Sequence, residues 1–104
     1  MILLPELLKE KILIHPTRLV LFKLLEFGFP ENCSELRDQM GITWGEFSNH
    51  SKILSRLGYV SITKQFENGS LKQKMRLTHE GMRKYQHVMM LLREYIEIYK
   101  ENLD

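Results

Sequence analysis

The sequence predicts a mainly α fold with one β-hairpin (α+β), on three observations. Apolar residues recur at helical spacing through residues 3–13, 16–27, 33–40, 43–57 and 79–102. Asn68-Gly69 lies between two alternating runs, YVSITKQFE and SLKQKMRLT, and that dipeptide between β-like runs marks a two-residue hairpin turn. Breakers fall between the helical runs: His15-Pro16, Gly28, the loop FPEN and Gly41.

Composition narrows the class. A chain of 104 residues suits one domain (1–104) with a modest core, and a second subunit would help to bury more. With 43% apolar and 27% charged residues it is an ordinary globular chain. Cys33 is its sole cysteine, so no internal disulfide forms, and there is no CxxC or Cys/His cluster; a reducing cytoplasm fits. The opening MILLPELLKEKILI is apolar but is interrupted by Glu6, Lys9, Glu10 and Lys11. It is too short for a signal-peptide core or a membrane span, so a cytoplasmic protein with no membrane partner is expected. Net charge is only +2, but residues 43–76 hold six basic against two acidic residues, while the segments on either side are each net −1. A local basic field attracts polyanions even when the whole chain is near neutral.

The elements follow in order. Residues 3–13 form a first short helix (N-terminal region 1–14) with Leu3 and Leu7, joined by Leu8 and Ile12, on one side. Proline disfavours helix in the residue before it and suits a first turn, so a second helix starts at Pro16 and stops at Gly28. Leu19, Val20, Phe22, Leu24 and Phe27 make it apolar around most of its girth, as a central core helix would be. Asn32 and Glu35 have capping-box spacing for CSELRDQM, and Thr43 caps the helix beyond Gly41. In that helix Phe47 and Leu54 define the buried line, flanked by His50, Ser51 and Leu57. Gly45, Asn49, Lys52 and Arg56 fall opposite, with Ser48 and Ser55 beside them, and Gly45 allows close approach of another backbone.

The two-residue turn sets the hairpin register: Phe66 faces Leu71, Lys64 faces Gln73, Ile62 faces Met75, and Val60 faces Leu77. That register gives an apolar inner face and a basic outer face carrying Lys72, Lys74 and Arg76. Thr78 caps a last helix whose Met82, Tyr85, Met89, Leu92, Ile96, Tyr99 and Leu103 have coiled-coil spacing. Val88, Leu91, Tyr95 and Ile98 make a second stripe. About 25 helical residues span almost 40 Å, more than so small a body covers, so one stripe is expected to meet a partner subunit.

Helix, helix, Gly-containing turn, helix, then a basic hairpin is the order of a helix-turn-helix with a wing (core 15–78) and a long C-terminal dimerisation helix (79–104). The segments HPTRLVLFKLLEFG, CSELRDQMGITWGEFSNHSKILSRLGYV and RLTHEGMRKY resemble the winged helix-turn-helix transcriptional regulators of the MarR and ArsR kind, especially small single-domain archaeal versions, over roughly residues 15–85. The resemblance implies a homodimer on double-stranded DNA, with the third of the core helices (about 43–57) in the major groove and the wing (about 60–77) on backbone or minor groove. It places Thr43, Trp44, Ser48, Asn49 and Lys52, with Lys64, Ser70, Lys72 and Lys74 of the wing, at the DNA; Gly45 joins them as a point of close backbone approach, and Arg56, late in its helix, is either solvated or in reach of a distant phosphate. It places Leu3, Leu7, Met82, Tyr85, Met89, Leu92, Ile96 and Tyr99 in the dimer contact. Ser51 stands where such proteins usually carry a core leucine, and the wing tip lacks their frequent arginine.

The chemistry is apt. Asn pairs with adenine, Lys reaches guanine acceptors or phosphate, and Ser and Thr hydroxyls suit phosphate oxygens. Two-fold symmetry would demand a pseudo-palindromic site. Other readings stand beside these. Trp44 is equally a lid on the helix pair or a DNA contact. His50 faces nearly inward, which favours a hydrogen-bonded core histidine, and Cys33 reads as a small buried hydrophobe. The four histidines have no i,i+4 pair, so no metal and no cofactor is expected. No Ser/His/Asp set, phosphate loop or paired carboxylates suggest an enzyme. A winged helix used only for protein–protein interaction is the rival reading, and a small-molecule effector has no residue that identifies it.

Overall fold

His15 and Pro16 start the first long helix. In the computed structural model of the chain, which describes residues 4–28 and 30–103, α1 runs Pro16–Phe27. The His15 side chain caps it, Nδ1 accepting from the Thr17 N–H at 3.2 Å. α2 (Cys33–Met40) is capped by Asn32, whose Oδ1 accepts from the Glu35 N–H at 3.2 Å. α3 (Trp44–Arg56) opens on a complete capping box between Thr43 and Glu46. β1 (Val60–Glu67) and β2 (Ser70–Leu77) form an antiparallel hairpin, and α4 (His79–Glu101) closes the chain behind its cap, Thr78.

The predicted pairings Val60–Leu77, Ile62–Met75, Lys64–Gln73 and Phe66–Leu71 are all present. Asn68 (φ 51°) and Gly69 (φ 78°) supply the two left-handed residues that a turn matching strand twist requires. The hairpin base is sewn to the body: the Met75 N–H donates to the Glu31 carbonyl at 2.8 Å, beside a bridge between Asn32 and Lys74. Phe22, Leu36, Leu54, Met75 and Val88, one or more from each of α1–α4 and β2, meet in the fully buried centre. α4 enters the body at Gly81, where a Cβ would lie 2.0 Å from the Tyr59 carbonyl oxygen; glycine is the residue that fits there.

Four expectations need correction. The N-terminal segment is a 3-10 helix over Leu4–Lys9 followed by turns, in place of a helix over 3–13. Tertiary bonds pull it off a helical path: Lys84 Nζ holds the Glu10 carboxylate at 2.7 and 2.8 Å, and Arg18 donates to the Ile12 carbonyl at 2.7 Å. Glu10 and Leu13 are therefore buried and Leu8 and Ile12 exposed. α1 is one-sided: Leu21, Phe22 and Leu25 are buried, while Val20 and Phe27 face out and Lys23 Nζ lies 5.2 Å from the Phe27 ring centroid. The apolar face of the hairpin is internal at its base only, through Val60 and Met75; Ile62, Leu71 and Phe66 are exposed, because the tip extends past the body.

Finally, Tyr85 leaves the dimer contact. It is 4% exposed and stacked on Phe22 at 5.5 Å, inside its own protomer. The two stripes of α4 do not divide into one for the body and one for a partner. Tyr85, Val88 and Leu91 are buried, Met82, Met89 and Leu92 half-buried, and Tyr95, Ile96, Tyr99 and Leu103 exposed. The division runs along the helix rather than around it, since the body ends before the helix does. Leu3 lies outside the described residues; Leu7 is half-buried against α4, lining a hollow of about 430 Å³ with Ile14, Leu92 and Tyr95.

Candidate nucleic-acid interface

α3 is amphipathic with a sharp boundary. Phe47, His50, Ser51 and Leu54 are buried, and Gly45, Asn49, Lys52 and Arg56 are exposed on the opposite side, with Ser48 half-buried between them. His50 is the expected core histidine: its Nδ1 accepts from Arg18 Nε at 3.1 Å, and its ring centroid lies 4.8 Å from that of His15. Burial lowers its pKa, helped by the charge of Arg18 and by His15 and opposed by Glu46. That bond ties α3 to α1 and so fixes the tilt of the exposed side.

Thr43 has a structural duty. Its Oγ1 accepts from the Glu46 N–H and shares a hydrogen bond with Glu46 Oε1, both at 3.1 Å. Glu46, unusual on a polyanion-facing helix, is thereby accounted for as half of the capping box. Trp44 packs as a lid on the helix pair while half of it stays in solvent. It is 51% exposed, yet meets Phe47 edge-on at 6.0 Å and carries the Arg37 guanidinium 4.8 Å from its ring. Arg37 escaped the sequence reading. It also donates to the Ile42 carbonyl at 3.1 Å, so it braces the turn between α2 and α3.

Of the wing residues, Lys64, Ser70 and Lys72 are exposed. Lys74 is half-buried, with its Nζ 2.6 Å from Glu67, and Arg76 is paired with Glu31 at 2.9 and 3.1 Å. The outer face of the hairpin is thus partly neutralised within the chain. Lys52, Arg56, Lys64 and Lys72 remain without an ion pair among the described residues. Two adjoining hollows separate α3 from the wing. One of about 310 Å³ is lined by Phe47, Ser48, Ser51, Lys52, Ile62 and Gln73, the other of about 350 Å³ by Asn32, Ser34, Lys64, Leu71, Lys72 and Gln73. Trp44 and Cys33 border both. Burial pushes the Cys33 thiol pKa up, which suits a packing residue. Ser51, which lines the first hollow, has its Oγ buried with no hydrogen-bond partner among the described residues.

A helix with one exposed polar side, a short capped turn before it and a basic hairpin after it define a winged helix-turn-helix. Residues 17–96 match the winged helix DNA-binding domain family, and the chain belongs to it. It is therefore a DNA-binding fold, of the kind that transcription regulators carry. The structure is similar to that of a transcriptional regulator homologue from Pyrococcus horikoshii OT3, with a TM-score of 0.81 and 25% identity over 93% of this chain and 96% of that one. The same fold occurs in the heme sensor PefR from Streptococcus agalactiae (TM-score 0.73, 18% identity, 99% and 77% covered). It occurs too in the M. tuberculosis regulator MOSR, solved in complex with DNA (TM-score 0.69, 15% identity, 90% and 67% covered). No curated protein matches the sequence. Among the described residues no helix is long and apolar enough to cross a membrane.

Proposed function

We propose that the protein is a homodimeric, sequence-specific binder of double-stranded DNA that folds as one domain and regulates transcription by occupying an operator. α3 enters the major groove. Asn49 and Lys52 read base edges there, Ser48 and Arg56 hold flanking phosphates, and Gly45 lets a sugar-phosphate strand close to the helix start. The wing brings Lys64, Ser70 and Lys72 to the backbone on the other side of the crease. Lys74 contributes through its backbone and its pair with Glu67 more than as a free cation. The observation that carries the reading is that Lys52 on one bank of the crease and Lys64 and Lys72 on the other, with Arg56 farther along the exposed side of α3, have no ion pair among the described residues. Clustered on one face, they give it a positive field that suits a polyanion.

The dimer is assigned to the part of α4 beyond Leu92, where Ile96 and Tyr99 project with Tyr95 and Leu103. Leu7, Met89 and Leu92 lie at the edge of that region and Met82 within the body. Two such protomers present two α3 helices, hence a pseudo-palindromic site.

Fluorescence anisotropy on a mixed-sequence duplex at several salt concentrations tests the reading. A dimer touching about six to eight phosphates gives a log–log slope of about −5 to −7. Absence of binding at low salt would sink it and turn attention to a protein partner.

A further inference from the structure

The tip of the wing combines features that its role as a phosphate contact does not need. Phe66 is 79% exposed and its cross-strand neighbour Leu71 52% exposed. The four residues from Lys64 to Glu67 carry the tip about 13 Å past the anchored base, at about 3.3 Å per residue. Half a DNA turn is about 17 Å, so the reach of the tip is of the order of the step from a major groove to the neighbouring minor groove. The ribbon is paired to its end: the full register is formed up to Glu67–Ser70 and the turn is closed by its two left-handed residues. Its charge is one-sided: Lys64 and Lys72 stand free, and its one acid, Glu67, is taken by Lys74. An exposed phenyl ring with Lys64 on its own face and Lys72 on the other face of the ribbon is complementary to a duplex, whose phosphates meet the lysines while its stacked bases offer an apolar slot.

We propose that Phe66, backed by Leu71, is a wedge that inserts between base steps in the minor groove flanking the α3 site and kinks the duplex there. Apolar side chains of this kind partly unstack the step they enter and bend DNA toward the major groove, most easily at flexible TA steps. The wedge would add selectivity at positions that no side chain reads by hydrogen bonds. The inference rests on the DNA-binding reading above.

The test uses the full chain and a mixed-sequence duplex carrying 2-aminopurine at its TA steps. Wild-type protein is expected to raise 2-aminopurine fluorescence, the sign of unstacking. Phe66→Ala should abolish that rise and weaken binding about tenfold, with the salt slope and melting temperature unchanged. Phe66→Lys should also abolish the rise while steepening the salt slope, which separates loss of the wedge from loss of affinity. Equal fluorescence and affinity for wild type and Phe66→Ala would overturn the wedge while leaving DNA binding intact; the apolar tip would then serve a protein partner. A large fall in melting temperature for Phe66→Ala would overturn it too, by showing the ring to be a packing residue. Wild type that fails to bind the duplex at all would instead strike the reading on which the wedge rests.

Discussion

Phe22 and Phe66 are the same residue in two regions that use apolar side chains for opposite ends. Phe22 lies in the body, fully buried and stacked on Tyr85; Phe66 lies on a projection and is mostly in solvent. The contrast holds beyond this pair. The hairpin base and α4 up to Leu92 bury most of their apolar positions, while the hairpin tip and most of α4 beyond Leu92 continue the same alternation and the same helical spacing into water. The molecule is about 59 Å long and about 24 Å in its other dimensions, and its two projections are periodic elements that outrun the core. Periodicity specifies a face; what lies opposite decides whether that face is core or contact surface.

The largest expected effect breaks the contrast from the side of the body. Phe22→Ala removes a fully buried ring and should cost about 3–5 kcal/mol, enough to unfold much of a small domain. Chemical denaturation measures it. The same change at Phe66 should stay within about 0.5 kcal/mol. Comparable losses at the two sites would mean that the tip packs on the body in solution.

Next comes the far end of α4. Ile96→Glu with Tyr99→Glu places two charges in the exposed stripe. Sedimentation should show monomers whose helix content is retained, and DNA affinity should fall by at least tenfold, because one half-site then binds alone. A dimer that survives both charges would move the interface to the N-terminal segment around Leu7 and Leu8. Leu92→Glu is the poorer probe, since Leu92 packs partly against the core and its loss mixes unfolding with dissociation.

These regions also differ in how legible they were. Local chemistry was read correctly from the chain: Asn68-Gly69 fixed every hairpin pair, and Thr43, Asn32 and Pro16 marked helix starts, because each acts on residues within a few positions. The outward placement of Asn49, Lys52 and Arg56 followed from the helical period alone. What was missed depends on contacts across the chain. Glu10–Lys84, Arg76–Glu31 and Arg18–His50 join residues 74, 45 and 32 positions apart, and no periodicity reports them. They account for the bent N-terminal segment, the neutralised half of the wing and the anchoring of α3. Tyr85 was misplaced for the same reason: a heptad pattern cannot tell a core face from a partner face where one helix serves both.

A smaller effect tests the tie between the body and the reading side of α3. Arg18 donates to a neutral His50, whose pKa lies below its ordinary 6.5. The unfolded chain therefore takes up a proton first as pH falls, so this contribution is complete above about pH 6.5 and is lost progressively below it. Melting temperature measured between pH 8 and pH 5 should decline in wild type. His50→Gln keeps an acceptor for Arg18 without titrating, so its decline should be shallower. Parallel curves would assign the acid sensitivity to other groups.

The smallest change is at Gly45, and it asks whether the exposed side of α3 is a contact surface at all. A Cβ there would meet Thr43 Oγ1 at 3.8 Å, an ordinary contact, and beyond its own helix backbone no other atom of the described residues within 4 Å. The fold therefore has no use for a glycine, and Gly45→Ala should stabilise by about 0.5 kcal/mol through helix propensity. If a sugar-phosphate strand passes over the start of α3, the added methyl should weaken DNA binding severalfold while the melting temperature rises. Binding equal to wild type would remove Gly45 from the interface and shift the approach of the backbone toward Ser48 and the crease. The opposite signs of the two readouts make the result independent of folding, which the larger substitutions in the body cannot offer.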